Sequence, residues 1–315
     1  MNEIVIMSRG SIYKPVTADG IIWTAYGDGT AGRLNFSVYG DGVLNFFEGD
    51  KVEFYCDGRG VFSGYVFTKK RDRKNIISVT AYDQLRYLKN KDTYVYSATT
   101  AAELIKKILS DVRLTAGETE PTQTVLSGAV EEEKPLIDII KRAMEYERLY
   151  SGKKYVIYDD FGRICLKSED KLTSGYIIDS ANTGNFSYSS SIDENTYTAV
   201  RVTRKGRNGE AIRLLRDGKT KEWGILQGNI SAEKDEDIQS KAEAFLKQRA
   251  VRTRHITVED VLGDLSVRAG GRVFVSLDLG DIVVNEYFTA EEVTHRFYEG
   301  KHTMDIKLKG GEFIA

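Results

Sequence analysis

Proline, cysteine and histidine are all scarce here, with three, two and three copies in 315 residues. Cys56 and Cys165 stand far apart and are too few for a thiolate metal cluster. They read as reduced, buried small hydrophobes rather than a disulfide. His255, His295 and His302 are too sparse for a metal set, so no metal and no other cofactor is expected. Long hydrophobic runs are missing as well. No stretch approaches the roughly 18 apolar residues of a membrane-spanning helix, which argues against membrane insertion. The opening MNEIVIMSRGSIYK carries one short apolar run behind an acid and does not read as a signal peptide, so a cytosolic site of synthesis is expected. An excess of either charge is lacking too: 45 basic residues face 47 acidic ones, a net charge of −2. That balance removes the counterion-release argument for nucleic-acid specificity.

What is abundant is glycine, at 29, and tyrosine, at 18. Glycine supplies turns and bulges, while Tyr, Val, Ile and Thr fit half-buried pleated surfaces, so the chain reads as strand-rich. IVIM (4–7) and IIWTAY (21–26) are short strands. Leu34, Phe36 and Val38 alternate with Asn35, Ser37 and Tyr39, and Val52, Phe54 and Cys56 repeat that alternation. VFSGYVF, the polar KKRDRKN and IISVTAY complete an antiparallel meander that should close as a barrel or small sandwich. The character changes near residue 99. Thr100-Ala-Ala-Glu103 is a capping box followed by Leu104, Ile105, Ile108 and Leu109 on one helical face. Residues 113–133 read as mostly loop. A second helix is expected from Lys134-Pro135, with Pro at its first position and the preceding acids at its positive end. KYVIYDD and RICLKS form a hairpin. Strands resume near 176, a third helix spans about 233–250 with Ile238, Ala242, Phe245 and Leu246, and the remainder is strand. The expected fold is mainly β with an α+β middle. Its domains are a barrel-like unit over 1–97, a middle over 98–175, and a second barrel-like unit over 176–315 carrying the helix.

Several patterns invite chemistry and each has a plainer reading. Gly27-Asp-Gly29-Thr-Ala-Gly32 matches G-x-G-x-x-G, but dinucleotide binding needs a helix directly after the glycines. RLNFSVYG is a strand, so a glycine-rich hairpin connection is the better reading. Glycan hydrolysis needs two placed carboxylates, one with a raised pKa. Glu131 to Glu133, Glu145, Glu147, Asp159 and Asp160 fall on helix faces, caps or turns, where solvated acids are ordinary. Neither a G-x-S-x-G elbow nor an H-E-x-x-H helix occurs. No catalytic residue is assigned, and a structural role at strand ends is expected for His295 and His302. The basic run Lys69, Lys70, Arg71, Arg73 and Lys74 reads first as a solvated hairpin tip, and second as an interface loop that steers assembly. In FSYSSS (186–191), Tyr188 is a possible surface contact.

The two β segments resemble each other. GDKVEFYCDGRGVFSGYVF (49–67) lies against GGRVFVSLDLGDIVVNEYF (270–288), matching Gly49, Val52, Phe54 and Tyr65 with Gly270, Val273, Val275 and Tyr287. An internal duplication is therefore expected, and three copies of a two-barrel chain would place six similar units in a ring.

With these segments, and with SVTAYDQLRYLKNKDTYVY, TAAELIKKIL, KEWGILQGNISAEKDEDIQSKAEAFL, VEDVLGDLSVRAGGRVFV and HRFYEGKHTMDIKL, the chain resembles the baseplate hub proteins of contractile tails in Gram-positive prophages, the XkdQ-like group. The resemblance covers over half the chain in the family's order and is loose over 113–135 and the first 30 residues. It implies a non-catalytic homotrimeric ring of pseudo-sixfold symmetry. Such a ring would join the sixfold tail tube protein to a threefold central spike protein, beside baseplate wedge and tape-measure proteins. It also implies assembly in a bacterial cytoplasm and release in a phage tail or tail-like particle. A peptidoglycan-cleaving tail-tip enzyme is the alternative from another class, and a carbohydrate-binding tail protein a third.

Overall fold

The computed structural model describes residues 1–310 other than 194, 207, 208, 218, 233–236, 281 and 299, and of 205, 206 and 209–213 the backbone. The first unit contains β1 (Asn2–Ser8), β2 (Ser11–Tyr13), β3 (Ile21–Tyr26), β4 (Arg33–Tyr39), β5 (Lys51–Cys56), β6 (Arg59–Arg71) and β7 (Ile76–Tyr82). Side chains alternate across a strand with period two, so Leu34, Phe36, Val38, Val52, Phe54, Ile77, Val79 and Ala81 all point inward. They share one buried core with Ile4, Ile6, Ile21 and Trp23. Each such burial is worth roughly 1.5–3 kcal/mol for the larger side chains, which fixes the register, since a one-residue slip would turn the whole set outward.

The middle starts with a 3-10 turn over Gln84–Lys89, capped by the Asp83 carboxylate accepting from the Leu85 N–H. It continues through β8 (Lys91–Tyr96), β9 (Thr99–Thr100), α1 (Ala101–Asp111), β10 (Ala116–Thr119), β11 (Val125–Leu126), β12 (Ala129–Pro135), α2 (Leu136–Ser151), β13 (Tyr155–Asp160) and β14 (Arg163–Ser168). The Thr100 capping box forms as expected: the Thr100 hydroxyl accepts from the Glu103 N–H and the Glu103 carboxylate accepts from the Thr100 N–H. The expected loop over 113–133 is instead three strands. β10 pairs in parallel with β14, while β11 with β9 and β12 with β8 pair antiparallel. Partners distant in sequence supply that order, and local pattern does not reveal them. Helix α2 begins one residue later than expected, with Pro135 as its cap position. The acids before it belong to β12, where Glu131 is buried and accepts from Arg142 and Lys134 at 2.6 Å each.

The second unit holds β15 (Ile177–Asp179) and β16 (Asn185–Ser191). It then leaves the sheet for β17 (Ala199–Gly206), β18 (Gly209–Arg216), α3 (Thr220–Trp223), β19 (Gln227–Ser231) and α4 (Ile238–Arg249), and returns as β20 (Thr253–Leu262), β21 (Arg272–Asp278), β22 (Val283–Tyr298) and β23 (Lys301–Gly310). The excursion is more than the expected helix. β17, β18 and β19 make a separate sheet whose Val200 and Val202 pack on Ala242 and Leu246 of α4. The first residues of the expected helix, 233–236, lie outside the described residues.

Both units have the same strand order. The first runs β1-β5-β6-β7-β4-β3 and the second β15-β21-β22-β23-β20-β16. Read along the chain, corresponding strands also appear in the same sequence, apart from the excursion between β16 and β20. One difference is that β1 runs antiparallel to β5 whereas β15 runs parallel to β21. The long strand β22 joins the units into one 13-stranded sheet. Its first half pairs with β21, a bulge interrupts it between Ala290 and Glu292, and its second half pairs with β3. Phe297 thereby enters the first unit's core, edge-on to Phe54 at 4.8 Å.

Candidate assembly surfaces

The residues matched between the two segments sit at equivalent backbone positions over most of their length. Gly49 and Gly270 both adopt left-handed φ, +88° and +86°, a conformation that side-chain-bearing residues rarely take. The Gly49 N–H donates to the Val66 carbonyl at 2.7 Å, and the Val66 N–H to Asp50 at 2.9 Å. Likewise Gly270 donates to Ala290 at 2.7 Å, and Ala290 to Gly271 at 2.9 Å. One residue on, each long strand has its bulge, between Val66 and Thr68 and between Ala290 and Glu292. Val52, Phe54, Val273 and Val275 are buried in their cores. Tyr65 and Tyr287 are not brought together by this register. Tyr65 lies opposite Lys51 and Tyr82, a place taken in the second unit by Thr289, opposite Arg272 and Lys309. The β21–β22 connection is longer, which shifts Tyr287 to a site facing Phe274, with the Arg272 guanidinium 4.9 Å from its ring.

The basic run divides in two. Lys70, Arg71, Arg73 and Lys74 are exposed at the β6–β7 tip. Lys69 instead turns back, donating to the Phe46 carbonyl and lying over the Phe46 and Phe47 rings at 4.8 and 5.1 Å. It pins the 43–47 loop rather than joining the charged tip. Tyr188 is half-buried against the second core, on the outermost strand, β16.

Three parts of the chain meet around Asp159, at the end of β13. Its carboxylate accepts from the Gly162 N–H at 2.7 Å, and Asp83 beside it accepts from the N–H groups of Gly32 and Leu85 at 2.7 and 3.0 Å. Gly32 closes the glycine-rich β3–β4 connection, so the Gly27–Gly32 motif serves a turn. Burial pushes the Asp159 carboxyl up to about 7, and burial together with the Asp159 charge holds Asp83 well above the ordinary carboxylate range. Arg268 of the second unit donates to the Asp159 carbonyl at 3.0 Å and the Asp160 carboxylate at 2.8 Å. Solvated status was expected for these acids, yet Asp159, Glu131 and Glu147 are withdrawn from water. Glu147 is used by the backbone, accepting from Thr124 at 2.8 Å. Asp83 is not marked by any motif in the sequence, because the Gly32 N–H and Asp159 that surround it are distant along the chain.

A second buried polar set lies where β22 crosses from one unit to the other. His295 is fully buried, stacked on Trp23 at 4.9 Å, with Nδ1 3.0 Å from His302 Nε2. Burial, and then His302, bring its pKa down to about 3. Among the described residues no group of three or more His, Cys, Asp or Glu could hold a metal. Cys56 and Cys165 are free thiols, the latter buried.

Two cavities border the buried acids and the cationic side chains. The space beside Asp83 and Asp159 holds about 20 Å³, room for one water and not for a sugar ring. A cleft of about 490 Å³ between α2, α4 and the second unit is lined by Lys154, Arg249 and Arg272. These already face Glu169, Glu145 and Asp170 at 2.7–2.8 Å, so their charge is taken up within the chain. No helix among the described residues is long and apolar enough to cross a membrane.

Comparison with known proteins agrees with this picture. The phage-like element PBSX protein XkdQ of Bacillus subtilis (strain 168) is 27% identical over 268 residues, covering 83% of this chain and 81% of the relative. The 43 kDa tail protein of prophage MuSo2 from Shewanella oneidensis superposes with a TM-score of 0.72 at 14% identity, covering 97% of this chain and 98% of the other. The E. coli c3393 protein, a type VI secretion component described as structurally similar to the T4 tail proteins gp27 and gp5, superposes with a TM-score of 0.59 at 10% identity, covering 96% of this chain and 76% of the other. The YqbQ-like family model matches residues 21–309, and with a fold shared by phage tail proteins the chain belongs to that YqbQ-like family.

Proposed function

We propose that this chain is the baseplate hub of a contractile phage tail or tail-like particle, a homotrimeric ring joining a sixfold tail tube to a threefold central spike. The observation that carries the reading is the repetition of one six-stranded order twice in a single chain, with the same glycine-anchored strand end and the same bulge. We take the repeat to be an internal duplication. Three chains then supply six similar units to the tube, while elements present once per chain, the middle and the β17–α4 excursion, recur threefold. Such a protein acts through surfaces: no bond is made or broken. Tube, spike, wedge and tape-measure proteins are the partners this position implies, with assembly in the bacterial cytoplasm before release in the particle.

One feature speaks for the rival reading, a tail-tip enzyme that cleaves peptidoglycan. Asp83 and Asp159 are paired carboxylates with raised pKa. The space beside them admits a water and no glycan, which favours the structural role. Native mass spectrometry of the chain, alone and co-expressed with its candidate spike protein, tests the hub reading. A trimer in either sample supports it. Monomers in both, together with cell-wall cleavage lost in Asp159→Asn, would replace it with the enzyme.

A further inference from the structure

The Asp83–Asp159 pair touches all three parts of the chain, and its two members are held unequally. Asp83 is 6% exposed, and both of its oxygens are occupied. Oδ2 accepts from the Gly32 N–H at 2.7 Å and Oδ1 from the Leu85 N–H at 3.0 Å. A Cβ on Gly32 would stand 2.5 Å from that Oδ2, so the last glycine of the β3–β4 connection is what lets the carboxylate reach the backbone. Asp159 accepts from the Gly162 N–H at 2.7 Å through Oδ1, whereas its Oδ2 lies 3.4 Å from the Gln84 nitrogen. Among the described residues neither carboxylate forms an ion pair, because Arg268 gives its guanidinium to the Asp159 carbonyl and the Asp160 carboxylate. Two carboxylates side by side with no cation between them resist both being charged. Asp159 Oδ2, the oxygen with the weakest donor, is the place for the proton.

The Gly162 N–H that Asp159 holds belongs to the tight turn of the β13–β14 hairpin. Phe161 (φ +50°) and Gly162 (φ +87°) make that turn between the paired Asp160 and Arg163. Left-handed φ at both central positions suits Asn or Gly and is costly for phenylalanine. Packing retains it here. A Cβ on Gly60 would fall 2.6 Å from the Phe161 ring, and Tyr55 meets that ring edge-on at 5.3 Å. The tip of a hairpin from the middle is thus pressed onto β5 and β6 of the first unit, while Asp160 beside it holds Arg268 of the second. Next to the ring lies a cavity of about 330 Å³ that reaches Trp23, Arg59 and Leu265, space into which the tip can shift.

We propose that the Asp83–Asp159 pair is a proton-operated latch: a proton on the pair keeps the β13–β14 tip docked on both units, and its loss to water releases the tip. The device lies within one chain and does not depend on the hub reading. The space beside the pair takes a single water, too little to hydrate two charged carboxylates, so relief comes from movement. Movement falls on the turn, because two backbone donors fix Asp83 while Phe161 keeps its conformation only through contact. The other titratable or charged groups around the pair are Tyr158, Asp160 and Cys165 of the hairpin, Tyr26 of β3, Arg59 of β6 and Arg268 before β21, with His295 and His302 behind Trp23. Burial pushes Tyr158 and Cys165 up, away from the acid range, and His295 and His302 down. The histidines become neutral as pH rises, which favours their burial and so opposes a loosening. Asp159, raised by burial to about 7, acts in the loosening sense.

Amide hydrogen exchange of the full-length chain, read by mass spectrometry, tests the latch. Rates for a peptide covering 158–164 are divided at each pH by those of the unfolded chain, which removes the intrinsic pH dependence. Asp159→Asn is the comparison, since its amide oxygen can still accept from the Gly162 N–H and the side chain cannot ionise. The ratio of the parent's corrected rate to the variant's should climb by up to tenfold per pH unit from about pH 4.5 to 7, because opening releases one proton, and should level off above. The 158–164 peptide should also exchange faster than the β4 peptide, 33–39, throughout. A parent whose corrected rate stays flat or falls over that range overturns the latch, whether or not the variant folds. An equal climb in Asp159→Asn overturns it too, since another group would then drive the opening. A 158–164 peptide no faster than 33–39 means that the whole chain unfolds and that no local latch exists.

Discussion

His295 provides a clean test of how the two units are joined, because it is a titratable group with no access to water on the strand that connects them. An imidazolium there would have to exist between the Trp23 ring and His302. Burial first, and His302 second, bring its pKa down to about 3 from an ordinary 6.5. For a base with a lowered folded pKa, the unfolded chain gains the proton first. Stability is therefore fully present above pH 6.5 and is lost as pH falls from there toward about 3. At a pH of about 4.5 the difference amounts to two pH units at about 1.4 kcal/mol each, about 3 kcal/mol in all. Asp159 works in the opposite sense, so the whole-protein pH profile does not isolate the term. His295→Phe does, since phenylalanine keeps a ring against Trp23 and cannot titrate. Urea unfolding of both proteins at about pH 7.5, 6 and 4.5 gives the stability difference at each pH. The variant should gain on the parent by about 3 kcal/mol on acidification, whatever its starting deficit from the lost His302 contact. A difference that stays constant across that range would falsify the account of His295 as a neutral, buried link.

Other perturbations separate the remaining contributions. Asp159 carries a raised pKa, so its native form holds a proton that the unfolded chain releases, and its stability term is lost as pH rises from 3.8 to about 7. Asp159→Asn should therefore become relatively more stable between pH 4 and pH 8; a flat difference in thermal melts counts against a carboxyl held protonated by burial. Phe297→Ala removes a side chain 2% exposed in the first core and should cost about 3–5 kcal/mol by denaturant unfolding, whereas a loss below about 1 kcal/mol would mean the units stand without it. Gly270→Ala should be far worse than Gly280→Ala. Both have positive φ, but a Cβ at 270 falls 2.3 Å from Val156 while one at 280 meets nothing within 4 Å, and equal melting temperatures would contradict this. Glu131→Ala removes a buried carboxylate but leaves Lys134 and Arg142 half-exposed to water, so it should cost about 1.5–3 kcal/mol for the lost charged hydrogen bonds, against little for the exposed Glu132→Ala.

How much of this was legible in the sequence depended on whether the deciding partner was local. The alternation of Leu34, Phe36 and Val38, and the Thr100–Glu103 capping box, are settled within a few residues and appear in the structure where the pattern puts them. Strands β10, β11 and β12 were missed because each is held by a distant strand, and β12 carries Glu131-Glu-Glu133, which resembles a polar loop until Arg142 and Lys134 are seen beside it. Asp159 looked like an ordinary turn acid, since nothing nearby in sequence reveals that Asp83, 76 residues earlier, is buried against it. The Gly49 and Gly270 anchors were readable because left-handed φ selects glycine. The register beyond them was not, because a longer β21–β22 turn carries Tyr287 away from the place of Tyr65.

The differences between the two units carry as much information as their likeness. Their hydrogen-bonded frames match, so each can offer the same edge and the same bulge to a neighbour. Yet the β17–α4 excursion decorates only the second, and it is fastened to the middle rather than left loose. Gln248 of α4 donates to the Arg148 carbonyl at 2.9 Å, and Arg249 pairs with Glu145 at 2.8 Å. The hairpin tips differ in charge as well, the first bearing Lys70, Arg71, Arg73 and Lys74 where the second ends on Tyr298, Gly300 and Lys301. In a ring of three such chains, the strand edges would repeat six times while the fastened excursion and the basic tip would repeat three times. A sixfold and a threefold surface can then coexist on one rigid body with no subunit bent into two conformations. The mismatch would be absorbed in the covalent chain, which carries two units of one strand order with different attachments.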